Sequence, residues 1–444
     1  MKALLISTYE MGRQPFGLAS PAAWLKADGW AVLCVDAARQ RLTDADVAGA
    51  DLVGIHLPMH TATRLAGPVV EKVKRVNPAA RVCAYGLYAP LNAGWLKSIG
   101  VDAIFGGEFE QELSAWAGAG HRAQSDPARR LPRLHFIVPD RSSLPPLSKY
   151  ATLQMPDGTR RLVGYTEATR GCKHLCRHCP VVPIYEGQFR VVQPEVVAAD
   201  IDAQVAAGAR HITFGDPDFF NGPAHALRIV EAFHDAHREV TYDVTIKIEH
   251  LLKHRELLPR LRDTGCAFVT SAVESVDDRV LALLRKGHTR ADFLAVVGLF
   301  RSLGMTLAPT FVAFHPWTTL ASYCDMLDVI EQQQLVDQVA PIQLGIRLLI
   351  PQGSRMLELD DVRQVAGAFD PGTLTYRWTH GEPEIDRLHE EVVAEIGSRL
   401  TAHRRQLFDA IARRAHERAG LARPQVPPLP ARATIPYLNE PWYC

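Results

Sequence analysis

Two α/β units in tandem, an open parallel sheet followed by a partial barrel, are what this 444-residue sequence predicts, with a helical region and an extended tail at the C-terminal side. Three observations predict it. Short runs rich in Val, Ile and Leu alternate with amphipathic stretches over 1–118. A proline-rich break follows over 119–160, and the alternation resumes at 161. Strand–helix alternation means βαβ units and parallel strands.

In the first unit, strands are expected at 2–7, 30–35, 51–57, 81–86 and 102–106, with helices such as 19–28 and 61–76 between them. Five strands suit an open, flavodoxin-like sheet, whose ligands sit beyond the carboxyl ends of the strands. That places Ser7–Met11, Pro58–Thr61, Gly86–Pro90 and Gly106–Glu110 around one cleft. The break carries Ser125-Asp126-Pro127, Pro132, Pro139 and Ser142-Ser143-Leu144-Pro145-Pro146, a linker composition. The second unit, 161–360, has strand signals at 161–167, 211–215, 241–248, 267–273, 307–313 and 341–350, and helical ones at 194–207, 223–237 and 290–303. Six βα units predict a partial (β/α)6 barrel of the TIM type, with working residues at the C-terminal strand ends. Within 361–444, Leu388, Val392, Val393, Ile396 and Leu400 give 383–420 a helical period, and Pro424 to Pro430 reads as a stiff spacer before the tail.

Composition excludes several classes. The chain holds 49 basic and 49 acidic residues, so nothing in its charge calls for a nucleic-acid or membrane-surface partner. The opening apolar run is too short for a signal peptide, and no run reaches the length of a membrane span. Eight cysteines in a chain of this length read as thiols or metal ligands, which predicts a reducing, cytoplasmic setting. Cys34, Cys83 and Cys266 lie in or beside apolar runs and read as small buried hydrophobes.

The chemistry concentrates in Glu167-Ala168-Thr169-Arg170-Gly171-Cys172-Lys173-His174-Leu175-Cys176-Arg177-His178-Cys179-Pro180, directly after the first barrel strand. Three thiolates hold three irons of a cubane and leave the fourth open to a small molecule, whereas a cluster that only carries electrons uses four cysteines. Lys173, Arg177 and His174 are expected to favour thiolates. The alternative is zinc, with His178 or His174 as fourth ligand, but no second ligand pair follows.

The spacing of Cys172, Cys176 and Cys179, with the ring of His178 before the last, resembles the radical SAM signature. The resemblance implies a [4Fe–4S] cluster on those three cysteines, S-adenosylmethionine (SAM) on the open iron, and an external flavodoxin- or ferredoxin-type electron donor. It further implies a 5′-deoxyadenosyl radical acting on a small-molecule substrate. It implies SAM contacts from Asp216 and Asp218 in Gly215-Asp216-Pro217-Asp218-Phe219, from Lys247, from Ser271 and Glu274 in Ser271-Ala272-Val273-Glu274-Ser275, and from Arg347. Trp317 and Tyr185 are further pocket candidates. Residues 1–118, with Pro15–Ser20 and Gly106–Glu110, resemble the cobalamin-binding-type domain that precedes many radical SAM barrels. No Asp-x-His-x-x-Gly segment supplies a cobalt ligand, and neither His56 nor His60 has its spacing, so bound cobalamin and an empty domain both stand.

The tail Tyr437-Leu438-Asn439-Glu440-Pro441-Trp442-Tyr443-Cys444 is aromatic and ends on a thiol. With Ser7–Glu10, Pro58–Arg64, Tyr85–Pro90 and His211–Asp218, it resembles the CUAEP/CCAEP-tail radical SAM (seleno)protein family. The resemblance implies that the chain continues past Cys444 with cysteine or selenocysteine, then Ala-Glu-Pro, through a UGA codon read as stop. It also implies a catalytic part for Cys444. Two other functions stay open: transfer of the 3-amino-3-carboxypropyl group of SAM to a soft acceptor such as arsenite, as in radical SAM proteins of arsinothricin biosynthesis, and a non-catalytic iron–sulfur or zinc scaffold.

Overall fold

The computed structural model describes residues 1–119, 131–398 and 403–424, and the backbone of Tyr437–Leu438. Strands β1 (Lys2–Ser7), β2 (Ala31–Asp36), β3 (Leu52–His56), β4 (Arg81–Tyr85) and β5 (Ala103–Phe105) form one parallel sheet in the order β2-β1-β3-β4-β5. That is the flavodoxin-like winding. The interior positions of its strands are apolar because both faces are covered. Leu4, Ile6, Val53, Ile55, Val82 and Ala84 enter one core, while Ala3, Leu5, Leu52, Cys83 and Tyr85 enter the other. Cys34 and Cys83 are fully buried, and burial pushes their thiols up to about 11 and about 12.

The second sheet begins within the stretch read as linker. Strand β6 (Thr152–Gln154) lies antiparallel to β7 (Arg160–Thr166). A small antiparallel pair, β8 (Thr169–Gly171) and β9 (Phe189–Val191), brackets the cysteine loop. Strands β10 (His211–Phe214), β11 (Thr241–Thr245), β12 (Cys266–Glu274) and β13 (Leu307–Phe311) then follow β7 in parallel register and curl into a half-barrel. Helices such as Pro194–Ala206, Pro223–Ala236 and Arg290–Leu303 form the crossovers. A hairpin of β14 (Ala366–Asp370) and β15 (Thr375–Trp378) precedes the helices Pro383–Ser398 and Arg404–Ala419. The last described strand, β16 (Tyr437–Leu438), adds to the free edge of β6. Of the expected spacer, residues 425–430 lie outside the described residues.

The sixth barrel strand expected at 341–350 is reduced to a single parallel bridge, Phe314 to Arg347. Pro341 opens a 3-10 turn over Pro341–Gly345. Gly345 then packs under Val392, Val393 and Ile396, so the chain turns toward the C-terminal helix before a ladder can form. Only Phe314 N to Ile346 O (2.9 Å) and Leu348 N to Phe314 O (2.7 Å) remain of it.

The two units meet at Arg170. Its guanidinium donates to Glu110 at 2.9 and 2.6 Å and to Glu167 at 2.7 Å, and lies 3.4 Å from Glu108. Ser20 donates to Glu110 and Tyr185 to Glu108. The rings of Phe16, Phe109 and Phe136 lie 4.8–5.6 Å from the guanidinium carbon. All of these polar groups except Glu167 are buried. Arg170→Ala should cost about 3–5 kcal/mol, because it leaves buried carboxylates without their cation. Urea unfolding followed by circular dichroism checks this, and a midpoint equal to that of the wild type would contradict it.

Candidate active site

The cysteine loop is built on a forced turn. Gly171 has φ +75°, and a Cβ there would lie 2.2 Å from Tyr185 Cδ1 and 2.6 Å from Gln188 O, so only glycine closes β8 onto the loop. Cys172 and Cys176 are buried and Cys179 is half-buried. The loop is pinned from two sides and by one turn of its own. Arg177 N donates to Leu284 O (3.0 Å), Lys173 N to Asn221 Oδ1 (3.2 Å), and Cys179 N to Cys176 O (3.2 Å).

The cationic assistance comes from other residues than those expected: Lys247 lowers the Cys172 thiol and Lys286 that of Cys179, each by less than burial raises it. Arg177 spends its guanidinium on Leu283 O (2.8 Å), and Lys173 turns its ammonium to Asn221 O (3.4 Å). Burial pushes Cys172 up to about 11 and Cys179 up to about 12. Thiolates therefore form here as metal binds and protons leave.

The strand-end residues converge above the half-barrel, but with distinct partners. Asp216 is fully buried and accepts from Ala168 N (3.0 Å) and Thr169 Oγ1 (2.5 Å), which ties β10 to the start of the loop. Burial pushes its carboxyl up to about 7. Asp218 faces two imidazoles, with His250 Nδ1 at 2.7 Å and His174 Nε2 at 3.4 Å; despite burial they hold its carboxyl below the usual range. Lys247 sits 3.3 Å from Glu249. Ser271 Oγ, on β12, is buried and has no hydrogen-bond partner among the described residues.

Glu274 ends β12 with φ +71°, after a register shift at Ala272. Its carboxylate lies 3.0 Å from His178 Nε2 and 3.4 Å from Lys286 Nζ. Burial would raise it, but Lys286 and His178 hold it down at about 2. Arg347 faces away, toward Asp386 (2.7 Å), Trp378 O (2.9 Å) and the Trp378 ring (3.7 Å). Tyr185 serves Glu108, and Trp317 donates to Asp361 (3.1 Å). Cys444 lies outside the described residues. His250, Lys286 and Arg170 were missed in the sequence, where each stands in an ordinary polar context and no spacing marks it.

The donor set fits a [4Fe–4S] cluster: two buried thiols and a half-buried one on one pinned loop, facing strand ends that carry an ammonium and a hydroxyl with no partner among the described residues. Cys34, Cys83, Cys266 and Cys324 belong to other elements and add no fourth thiol to the loop. In the first unit, His56 is packed against Gly17 and lies 3.3 Å from Glu10, and His60 is bound to Thr373 O at 2.7 Å. The His60 imidazole is thus committed within the protein, and that of His56 is enclosed by Gly17 and Glu10.

Residues 166–319 match the family model described as the Radical SAM superfamily. The hopanoid C-2 methylase of Rhodopseudomonas palustris (strain TIE-1) is 23% identical over 336 residues, 72% of this chain and 60% of that protein. A tRNA-2-methylthio-N(6)-dimethylallyladenosine synthase of Desulfosudis oleivorans is 28% identical over 216 residues, 45% of this chain and 44% of that one. The chain thus spans about half the length of these curated relatives. Among solved structures, the cobalamin-dependent radical SAM enzyme OxsB with aqua-cobalamin and SAM bound superposes with TM-score 0.71 at 13% identity, over 94% of this chain and 71% of that one. The radical SAM methyltransferase TsrM of Kitasatospora setae follows with TM-score 0.58 at 16%, over 75% and 71%. At these identities the likeness is one of fold. Residues 166–319 thus carry a radical SAM domain, within a fold that the chain shares with OxsB, its α/β domain ahead of the half-barrel included. Among the described residues no helix is long and apolar enough to cross a membrane. The expectation of no nucleic-acid partner finds no support here, since the relatives include enzymes named for a tRNA product.

Two buried carboxyls set a pH dependence. Asp216 and Glu108 are each pushed up to about 7 by burial, while an unfolded carboxyl titrates near 4. The folded chain therefore keeps protons that the unfolded chain loses. The stability they contribute is fully present below about pH 4 and is lost as pH rises through about 7. Urea unfolding of the metal-free protein should give a falling free energy between pH 5 and pH 7.5, and Asp216→Asn should flatten the slope. An unchanged slope in that variant counts against the assignment.

Proposed function

We propose that the protein cleaves SAM reductively and directs the resulting 5′-deoxyadenosyl radical at a small molecule. The observation that carries this is the pinned loop of Cys172, Cys176 and Cys179 at the mouth of the half-barrel. When bound there, a [4Fe–4S] cluster supplies the single electron that breaks a carbon–sulfur bond of SAM. The chain's own part is to bind and orient. Lys247 offers an ammonium for the SAM carboxylate, and Ser271 Oγ, without a partner among the described residues, a hydroxyl for a polar edge of SAM. Asp216 fixes the loop to β10, Glu274 holds the His178 ring against the loop, and Asp218 holds His174 and His250. Arg347 steadies the end of the barrel through Trp378 and Asp386.

The reading divides the chain into 1–118, a cobalamin-type domain; 119–160, a linker; 161–360, the radical SAM core; and 361–444, a helical extension and tail. Cobalamin would be held by the first domain without an imidazole ligand, since His56 is enclosed by Gly17 and Glu10 and His60 is bound to Thr373 O. The electron comes from a flavodoxin- or ferredoxin-type donor in the cytoplasm. The balanced charge favours a small-molecule substrate over a nucleic acid. A stoichiometric tRNA complex at physiological salt would overturn that choice.

The direction of the tail supports a part for Cys444 in the same chemistry. Tyr437 and Leu438 pair with Gln154 and Leu153, which pair with Arg160 and Arg161, so β16 runs alongside β7 toward its Thr166 end. The six residues 439–444 can reach at most about 20 Å further.

Anaerobic incubation with SAM and dithionite should yield 5′-deoxyadenosine, and Cys176→Ala should abolish both iron binding and cleavage. Recovery of 5′-methylthioadenosine instead would replace radical formation with aminocarboxypropyl transfer. Cys444→Ser should abolish substrate turnover while leaving SAM cleavage within about twofold of the wild type, comparable to the scatter between similar surface variants. Full turnover in that variant removes the thiol from the mechanism.

A further inference from the structure

The cluster reading above leaves one iron without a protein ligand, and the following inference rests on it. Next to Cys172 stands a second group of metal-ligating side chains. Ligand atoms of Cys172, His174 and Asp218 all lie within 4.8 Å of one another. His174 Nε2 is 3.4 Å from Asp218 Oδ2 and 3.2 Å from His250 Nε2. His250 turns its other nitrogen, Nδ1, to the same Asp218 oxygen at 2.7 Å. The side chains of Asp218 and His250 are closed to solvent, and that of His174 nearly so.

These atoms are crowded for an ordinary hydrogen-bond network. A carboxylate oxygen and an imidazole nitrogen both converge on His174 Nε2, with a sulfur close by, and one proton there serves one acceptor well. A metal ion at His174 Nε2 would take the place of that contested proton. Behind the His174 ring, its other nitrogen, Nδ1, lies 3.6 Å from Glu249 Oε2, and a carboxylate behind an imidazole is the usual way a protein aims a ring at a metal. Asp218 itself is the weaker ligand for this iron. It is a hard oxygen already tied to Phe220 N (3.2 Å) and to His250, whereas imidazole suits iron.

The geometry points to His174 as the ligand of the cluster's open iron in the SAM-free protein, with Glu249 as the residue that positions its ring. His174 stands two residues from Cys172 and two from Cys176, in the same pinned loop. When SAM arrives, the iron–nitrogen bond to His174 breaks, bonds from the iron to the amino and carboxylate groups of SAM form, and no electron moves. The released imidazole falls back on Asp218 and His250. The resting iron is thereby capped against loss, and SAM binds in competition with a side chain.

The test uses the full chain with its cluster reconstituted anaerobically, labelled with 15N-histidine, reduced with dithionite and kept free of SAM. Pulsed electron–nuclear double resonance should detect a 15N coupling at the cluster. The coupling should vanish on addition of SAM and be absent in His174→Ala and His174→Gln. Both variants should still bind about four irons per chain. If the open form makes up about a tenth of the wild-type population, His174→Ala should bind SAM on the order of tenfold more tightly. A four-iron cluster that cleaves SAM but shows no nitrogen coupling overturns the inference and leaves the cluster reading intact. So does a coupling that survives His174→Ala. A protein that forms no [4Fe–4S] cluster at all overturns the cluster reading, and this inference with it.

Discussion

One guanidinium, that of Arg170, stands between the two halves of the protein with three carboxylates around it. Glu108 and Glu110 come from the strand ends of the first sheet, Glu167 from the end of the first barrel strand, and Arg170 itself lies two residues before Cys172. Burying a cation there is tolerable only because the carboxylates and three aromatic rings enclose it, and burying the carboxylates is tolerable only because of the cation. Burial keeps a proton on Glu108 up to about pH 7, which limits the surplus negative charge. The position of the cysteine loop is thus set by the docking of the first domain as much as by the barrel. Cys172, Val181, Ile184 and Tyr185 even share an apolar core with Leu4, Ile55 and Val82 of the first sheet.

Around that anchor the site is organised as pairs that span the mouth of the half-barrel. Glu274 reaches from the fourth barrel strand to His178, Asp218 from the second to His174 and His250, and Asp216 to the residues just ahead of the loop. The acidic strand ends therefore face the cysteine loop more than open space. They fix its imidazoles and backbone, while Lys247 pairs with Glu249 and the Ser271 hydroxyl has no hydrogen-bond partner among the described residues. Such preorganisation suits a reaction in which the protein must hold reactants and exclude water.

Much of this was legible in the residues alone. The strands of the first sheet emerged within about two residues because both faces are buried, so Val, Ile and Leu fill each run without a polar partner face. The helix at Arg290–Leu303 carries its own signals, a Thr289–Asp292 capping box and Gly304 at its end. The sixth barrel strand was misread because Leu348 and Ile350 are as apolar as a strand, yet their partners are Trp378, Met356 and the residues around them. Hydrophobicity announces burial and leaves the partner unstated.

The amino-acid sequence by itself determined that three thiols share one short loop after a strand, that two α/β units follow one another, and that a thiol ends the tail. Those properties depend on neighbours along the chain. Only the tertiary structure decided what meets the loop. His178 and Glu274 are 96 residues apart in the chain and Arg170 and Glu110 are 60 apart, and no local pattern encodes either pair. Such pairs form because burying a charge is unfavourable until an opposite charge from a distant element is buried with it, and that condition is met only in the folded chain.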